Sequence, residues 1–213
     1  MLYENHIAFE QMAAARTFSV EQKDKFRLYL EMIEQWSERM NLVSARDLYH
    51  LVTRHLADSV AIARLPQVPE RGRVLDLGSG AGFPGVPLAI LKPDLHITLL
   101  DSIGKKTRFL EEVVTAVRLE NTRVLCERAE NLRPKSEDER YDVILARAVA
   151  RLDKLWRWSG PLLRSGGRLL AQKGGDVQPE IDELVKKMRV TVSVRALRTR
   201  EDDDKKVLCV STA

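Results

Sequence analysis

A chain of 213 residues lies near the upper end of a single ordinary domain and can bury a sizeable apolar core without disulfides or a metal. Its 44% hydrophobic and 31% charged residues exclude a disordered chain, which would have too little apolar surface to offset its ordering entropy. The net charge of +4 is mild but uneven, since residues 141–200 hold thirteen Lys/Arg against six Asp/Glu, a balance that suits an anionic partner as well as a plain solvated basic face.

The N-terminal MLYENHIAFEQ has acidic residues where a secretory signal would be basic. From Ser19 to Met40 the residues Phe26, Tyr29, Leu30, Ile33, Trp36 and Met40 recur at three and four, predicting a helix with one apolar stripe, opened by a Ser19/Gln22 capping box. A second helix is predicted over about 47–65, with Leu48, Leu51, Val52, Leu56, Val60 and Ile62 buried and Pro66 and Pro69 ending it. His55, Asp58 and Ser59 lie three and four apart on it. A triad needs converging side chains at a reacting centre, so packing of this helix on the rest of the chain is the expectation.

Beyond it the pattern turns to short β-rich runs alternating with helical segments, the signature of a parallel sheet. Strands are predicted at 73–78, 96–101, 122–128, 141–147 and 166–173, with helices leading to Leu91 and over about 104–118, 151–163 and 178–188. Two last strands, near 190–197 and 206–211, are joined by the charged tip 201–206, read as an exposed hairpin loop. An N-terminal helical extension (1–70) and a cofactor-binding α/β domain (71–213) are expected, a doubly wound mostly parallel sheet with helices on both faces. The longest apolar run, Val86 to Leu91, contains Pro87 and falls far short of the ~20 residues that cross a bilayer, so a cytoplasmic protein away from membranes is expected. Cys126 and Cys209 fall in strand-like segments and are expected to be buried reduced thiols rather than a bridge; His6, His50, His55 and His96 form no ligand cluster with them, and no metal site is expected.

Ligands of such sheets bind outside the carboxyl ends of the strands. The first predicted strand ends in VLDLGSGAGFPG, whose glycines permit a tight turn and close approach of backbone to a ligand; the second ends in Asp101, whose carboxylate can accept hydrogen bonds from two ribose hydroxyls. Together they describe a site for an adenosine-containing cofactor, although the same residues would also form a simple turn with Asp101 capping the next helix. Gly80 to Gly85 also spells the GxGxxG of a dinucleotide site with an acidic residue about 20 positions on, so a nicotinamide-dependent oxidoreductase is a rival reading. That frame starts two residues late relative to the strand end, and the length leaves no room for a second substrate domain. The frame from Gly78, GxGxG with Asp76 inside the strand, fits better.

DLGSGAGFPGVPLAI, the following LLDSIGKKTRFLEEV, then RAENL and YDVILARAVARL, resemble the RsmG (GidB) family of 16S ribosomal RNA methyltransferases. NLVSARD and RHLADSV before them and GGRLLAQKG after them keep the same order. The resemblance implies a class I methyltransferase fold with a final antiparallel strand, S-adenosyl-L-methionine as cofactor, and methylation at N7 of one guanine in a small-subunit rRNA loop. By position it places cofactor contacts on Gly78, Phe83, Ala129, Glu130 and Arg147, joining Gly80 and Asp101 from the residue reading. The alternatives for Phe83 and Ala129 are core packing, for Glu130 a helix cap, for Arg147 a surface ion pair.

No single catalytic residue is identified, because N7 carries a free lone pair and positioning is then the main contribution. Arg147, Arg151 and Lys173, at or beyond the ends of the fourth and fifth strands, are the candidates for positioning substrate, with Lys105 and Lys106 secondary. Trp156 and Trp158 are expected to pack in the core or against helices. The expected partner is 16S rRNA, the small ribosomal subunit or an assembly intermediate, bound by a monomer. A non-catalytic RNA-binding or ribosome-assembly protein with a vestigial cofactor fold is a further alternative, against which the intact cofactor residues argue.

Overall fold

A computed structural model describes residues 1–197, 199 and 204–213. Before the sheet lie α1 (Tyr3–Ala15), α2 (Val20–Ser37), the single turn α3 (Ala45–Leu48) and a π-helical stretch, Leu51–Leu56, that runs into α4 (Ala57–Ala63). The alternating part follows: β1 (Gly72–Leu77), α5 (Gly85–Leu91), β2 (Leu95–Asp101), α6 (Gly104–Ala116), β3 (Thr122–Cys126), β4 (Tyr141–Arg147), α7 (Leu152–Ser159), β5 (Leu163–Lys173), α8 (Gln178–Lys187), β6 (Val190–Ala196) and β7 (Lys206–Thr212).

The predicted capping box forms: Ser19 Oγ accepts from the Gln22 N–H at 3.1 Å and Gln22 Oε1 accepts from the Ser19 N–H at 3.0 Å. Phe26, Tyr29, Leu30 and Ile33 are buried, with Trp36 and Met40 packed against the same cluster. Helix α1 has no counterpart in the sequence reading. Its buried positions are Asn5, Phe9 and Ala13, so a polar residue stands on the inward stripe, where its amide donates to Glu34 Oε1 (2.7 Å) and the Leu48 carbonyl (2.8 Å).

The single helix predicted over 47–65 is broken. His50 leaves helical geometry (φ −124°, ψ 23°), and the wider π turn after it buries both Leu51 and Leu56, five apart, a spacing outside the 3.6-residue period on which the expectation rested. The strand predicted over 122–128 ends at Cys126, and β5 starts at Leu163, three residues early.

The strands form a seven-stranded sheet in the order β3-β2-β1-β4-β5-β7-β6. β1 to β5 pair in parallel, and β7 runs antiparallel to both β5 and β6. The strand order reverses between β1 and β4, which creates the crevice where ligands of such sheets sit. One apolar cluster joins the N-terminal helices, α5 and α6 to one face; a second, with Leu155, Trp156 and Leu184 from α7 and α8, covers the other. Helix α5 approaches β1 and β2 so closely that a Cβ on Gly85 would lie 2.4 Å from Leu99 Cδ2 and 2.6 Å from Asp76 Oδ2.

One expectation is corrected. Cys126 and Cys209 are free thiols rather than buried ones: Cys126 is exposed, on β3, an edge strand with a neighbour on one side only, and Cys209, on β7, is half-buried. Of the charged tip 201–206, residues 201–203 lie outside the described residues; Asp204 is exposed, Lys205 half-buried, and Lys206 already opens β7. Among the described residues no helix is long and apolar enough to cross a membrane.

Candidate active site

The turn after β1 is tied to the neighbouring strand: the N–H groups of Gly78 and Ser79 both donate to the Leu100 carbonyl, at 2.8 and 2.9 Å. Gly78 adopts φ +74°, and a Cβ there would meet Val149 Cγ2 at 2.7 Å, so only glycine leaves this wall of the crevice open. Asp101, at the end of β2, is buried and accepts the Gly80 N–H at Oδ2 (2.9 Å) and the Ile103 N–H at Oδ1 (3.0 Å). Its carboxylate therefore fixes the glycine turn and the short turn that leads into α6 at once, and each oxygen keeps a second acceptor site.

Leu77, Gly78, Asp101, Ala129, Glu130 and Trp158 are among the residues around one cleft of about 180 Å³ at the carboxyl ends of β1, β2 and β3. Of the expected cofactor contacts, Gly78, Asp101, Ala129 and Glu130 converge here, while Gly80 lies behind Asp101 and holds it. Ala129 and Glu130 arrive on a short 3₁₀ turn, Ala129–Asn131. Trp158, expected in packing alone, lines the cleft, with Lys154 Nζ 4.9 Å from its ring centroid; Trp156 is buried as expected.

Phe83 and Arg147 do not line this cleft. Phe83 is buried on the other side of the turn, its ring centroid 5.2 Å from that of Tyr29 and 5.3 Å from the stacked ring of His55. Arg147 Cζ stands 5.5 Å from the Phe83 centroid, and Arg147 Nη2 donates to His55 Nδ1 at 2.6 Å. A guanidinium can only donate, so this imidazole is a neutral acceptor carrying its hydrogen on Nε2. Burial and the Arg147 charge agree with that, pushing the His55 imidazole down to about 3. Tyr29, on α2, donates its hydroxyl to the Ala81 carbonyl at 2.7 Å and so braces the turn from below.

Asp76 lies inside β1, where the sequence predicts it. It is fully buried; Oδ2 accepts the Gly85 N–H at 3.0 Å and Oδ1 has no partner. Burial pushes its carboxyl up to about 6, against the lowering effect of the Gly85 N–H. Arg151 and Lys173 stand apart from Arg147. Arg151 pairs with Glu183 and Lys173 with Glu180 (3.0 Å), both on α8, and Lys173 also donates to the Ala150 carbonyl. Lys105 and Lys106 occupy the first turn of α6.

The residues present fit an adenosyl group. The cleft joins a glycine that no side chain can replace, a buried carboxylate with acceptor sites to spare, and a small apolar wall at Ala129. Strand order 3-2-1-4-5-7-6 with an antiparallel seventh strand, the glycine turn after the first strand and the acid ending the second define a class I S-adenosylmethionine-dependent methyltransferase. Solved structures agree in fold: the mitomycin 7-O-methyltransferase matches with a TM-score of 0.65 at 14% identity over 100% of this chain and 69% of its own. Fibrillarin of Aeropyrum pernix, crystallised with S-adenosyl-L-methionine, matches with 0.54 at 18% identity over 75% of each chain.

The particular family follows from sequence. The family model GidB, rRNA small subunit methyltransferase G, matches residues 22–207, and the chain belongs to that family. The ribosomal RNA small subunit methyltransferase G of Roseiflexus castenholzii is 44% identical over 161 residues, 75% of this chain and 68% of the relative. That of Desulforamulus reducens is 34% identical over 187 residues, 86% and 78% respectively. The expected family, fold and cofactor class are borne out, and the chain is an rRNA methyltransferase rather than a nicotinamide-dependent oxidoreductase.

Proposed function

We propose that this chain transfers the methyl group of S-adenosyl-L-methionine to N7 of one guanine in 16S rRNA, acting in the cytoplasm as a monomer on the small subunit or a precursor of it. Membership of the small-subunit methyltransferase G family carries the reading. The cleft supports it: Gly78 admits the cofactor's backbone, Asp101 receives the ribose hydroxyls, and Ala129 and Glu130 border the adenine. Phe83 and Arg147 stand outside the cleft, Phe83 between the turn and the N-terminal helices and Arg147 at the end of β4, on the side assigned to the RNA.

When bound, the cofactor supplies a methyl group already activated as a sulfonium substituent, and the positive charge passes to the guanine ring. N7 offers a lone pair in the unmodified base, so no proton has to be removed and the site needs no base. The protein's work is then to orient a splayed-out nucleotide and to hold the RNA around it. Arg151 and Lys173, fixed by α8 carboxylates, are assigned to the RNA side of the β4 and β5 ends, with Lys105, Lys106 and the exposed Lys154 around the cleft.

The test is incubation with labelled S-adenosylmethionine and small subunits, or rRNA stripped from them, taken from a strain that lacks the enzyme. Label at a single guanine N7 is expected. Cofactor binding without label at any guanine N7 would defeat the substrate assignment.

A further inference from the structure

The helical segment 51–63 carries two polar groups toward the sheet that core packing does not require. His55 and Asp58 are three apart and therefore share a face. Asp58 is 1% exposed, yet its carboxylate is fully engaged: Oδ2 accepts from Gln172 Nε2 (3.0 Å) and Lys205 Nζ, and Oδ1 accepts from Thr199 Oγ1 (2.8 Å). His55, one turn earlier, takes Arg147.

These partners form a row along the carboxyl edge of the sheet. Leu77 pairs with Ala146, so the next positions, Gly78 and Arg147, are side by side; Arg147 pairs with Gln172, and Lys173 with Lys206. The row thus runs from the glycine turn through Arg147 and Gln172 to Lys205, and the helix lies across it with an acceptor for each cation. A buried carboxylate needs such partners to be tolerated, but nothing in core packing calls for a charge here, and an apolar residue would be cheaper.

We propose that His55 and Asp58 are positioning residues that aim Arg147 and Lys205 at the RNA around the target guanine, His55 by accepting from the guanidinium and Asp58 by anchoring the ammonium. The inference rests on the methyltransferase reading above. Long cationic side chains sample many rotamers, and anchoring each one in advance holds it where the target base must lie for reaction, so its loss is felt in the oriented, reacting complex more than in initial RNA binding. It also gives the N-terminal helices a part in the site: segment 51–63 supplies an acceptor to each of the two cations. The Nε2–H of His55, buried without a hydrogen-bond partner and 3.8 Å from Asp47 Oδ1, shows that this imidazole is placed for its Nδ1 contact and not for two satisfied bonds.

The test is a pair of double-mutant cycles in the full chain, His55→Phe with Arg147→Met and Asp58→Asn with Lys205→Met, reading kcat and KM for the rRNA substrate at saturating S-adenosylmethionine. His55→Phe keeps a ring against Phe83 and removes only the acceptor. In each cycle the positioning variant should lower kcat by about ten- to hundredfold, the range for a lost hydrogen bond to a charged group, with KM moving much less. Adding it to the cation variant should cost less than about twofold more, since the two act as one unit.

Losses that multiply in both cycles, or full turnover in Arg147→Met and Lys205→Met, would overturn the inference. The Asp58 cycle keeps the test decisive if His55→Phe fails to fold. An inactive parent chain overturns the functional reading and this inference with it, whereas an active parent with multiplying losses overturns this one alone.

Discussion

Two perturbed buried groups near the glycine turn, His55 and Asp76, titrate in opposite senses, and their opposition can be measured. His55 is held down to about 3 from an ordinary 6.5 by burial and the Arg147 charge. The unfolded chain binds this proton first, so the folded state loses stability as pH falls from 6.5 toward 3, at about 1.4 kcal/mol per pH unit. Asp76 is raised from 3.8 to about 6 by burial, and here the folded state binds the proton first. Its cost is greatest above pH 6 and is relieved as pH falls toward 3.8, at the same slope. Between about pH 6 and 4 the two contributions oppose, each on the order of 3 kcal/mol. Urea unfolding at pH 4, 5, 6 and 7 of the parent, His55→Phe and Asp76→Asn separates them. Relative to the parent, His55→Phe should gain about 3 kcal/mol as pH falls from about 6 to 4, and Asp76→Asn should lose about as much. Groups shared by all three proteins cancel in these differences. Differences that stay flat with pH would refute the assignment of either shift to burial at this turn.

Asp101→Ala should weaken S-adenosylhomocysteine binding by about ten- to hundredfold in calorimetry and lower stability by about 2 kcal/mol, because the Gly80 and Ile103 N–H groups lose their acceptor as well as the ribose. Unchanged affinity would remove the ribose role. Gly78→Ala should cost about 1–2 kcal/mol from its φ of +74° and should also narrow the cleft against Val149; adding Val149→Ala should restore part of the affinity and little of the stability. Ser19→Ala should cost about 1 kcal/mol in thermal unfolding through the lost capping box, with turnover unchanged, since α2 starts far from the cleft in contacts.

The alternating half of the chain was legible because each strand is a continuous apolar run between turn residues, and a sheet covered on both faces demands that pattern. Asp101 and the glycine turn were legible for a related reason, standing where the apolar run stops. The N-terminal half was less so. Asn5 hides the inward stripe of α1 by putting an amide where a hydrocarbon was expected, and the π turn at 51–56 shifts the spacing from four to five within a segment otherwise read as one helix. Cys126 shows a third kind of miss: membership in a strand says nothing of exposure until the strand's place in the sheet is known, and β3 is at the edge.

The contacts that tie Tyr29, His55 and Asp58 to the turn and the sheet edge are long-range. Tyr29 braces Ala81 across 52 positions, Arg147 meets His55 across 92, and Asp58 meets Gln172 across 114. Periodicity is a local signal and reports which side of a helix faces inward, not what it faces. Yet one mark was present. Asp76 and Asp58 are carboxylates embedded in apolar stretches, VLDL and LADSV, where burial of a charge is tolerated only with dedicated donors. For Asp58 those donors are Gln172, Lys205 and Thr199; for Asp76 one oxygen has the Gly85 N–H and the other has none. A carboxylate that satisfies itself within the fold reads as an anchor, and one left half-satisfied keeps its single donor at the cost of a raised carboxyl. The two acids thus fasten different parts of the chain: Asp58 ties the N-terminal helices to the cationic edge of the sheet, and Asp76 holds Gly85, and with it the start of α5, against β1 beneath the glycine turn.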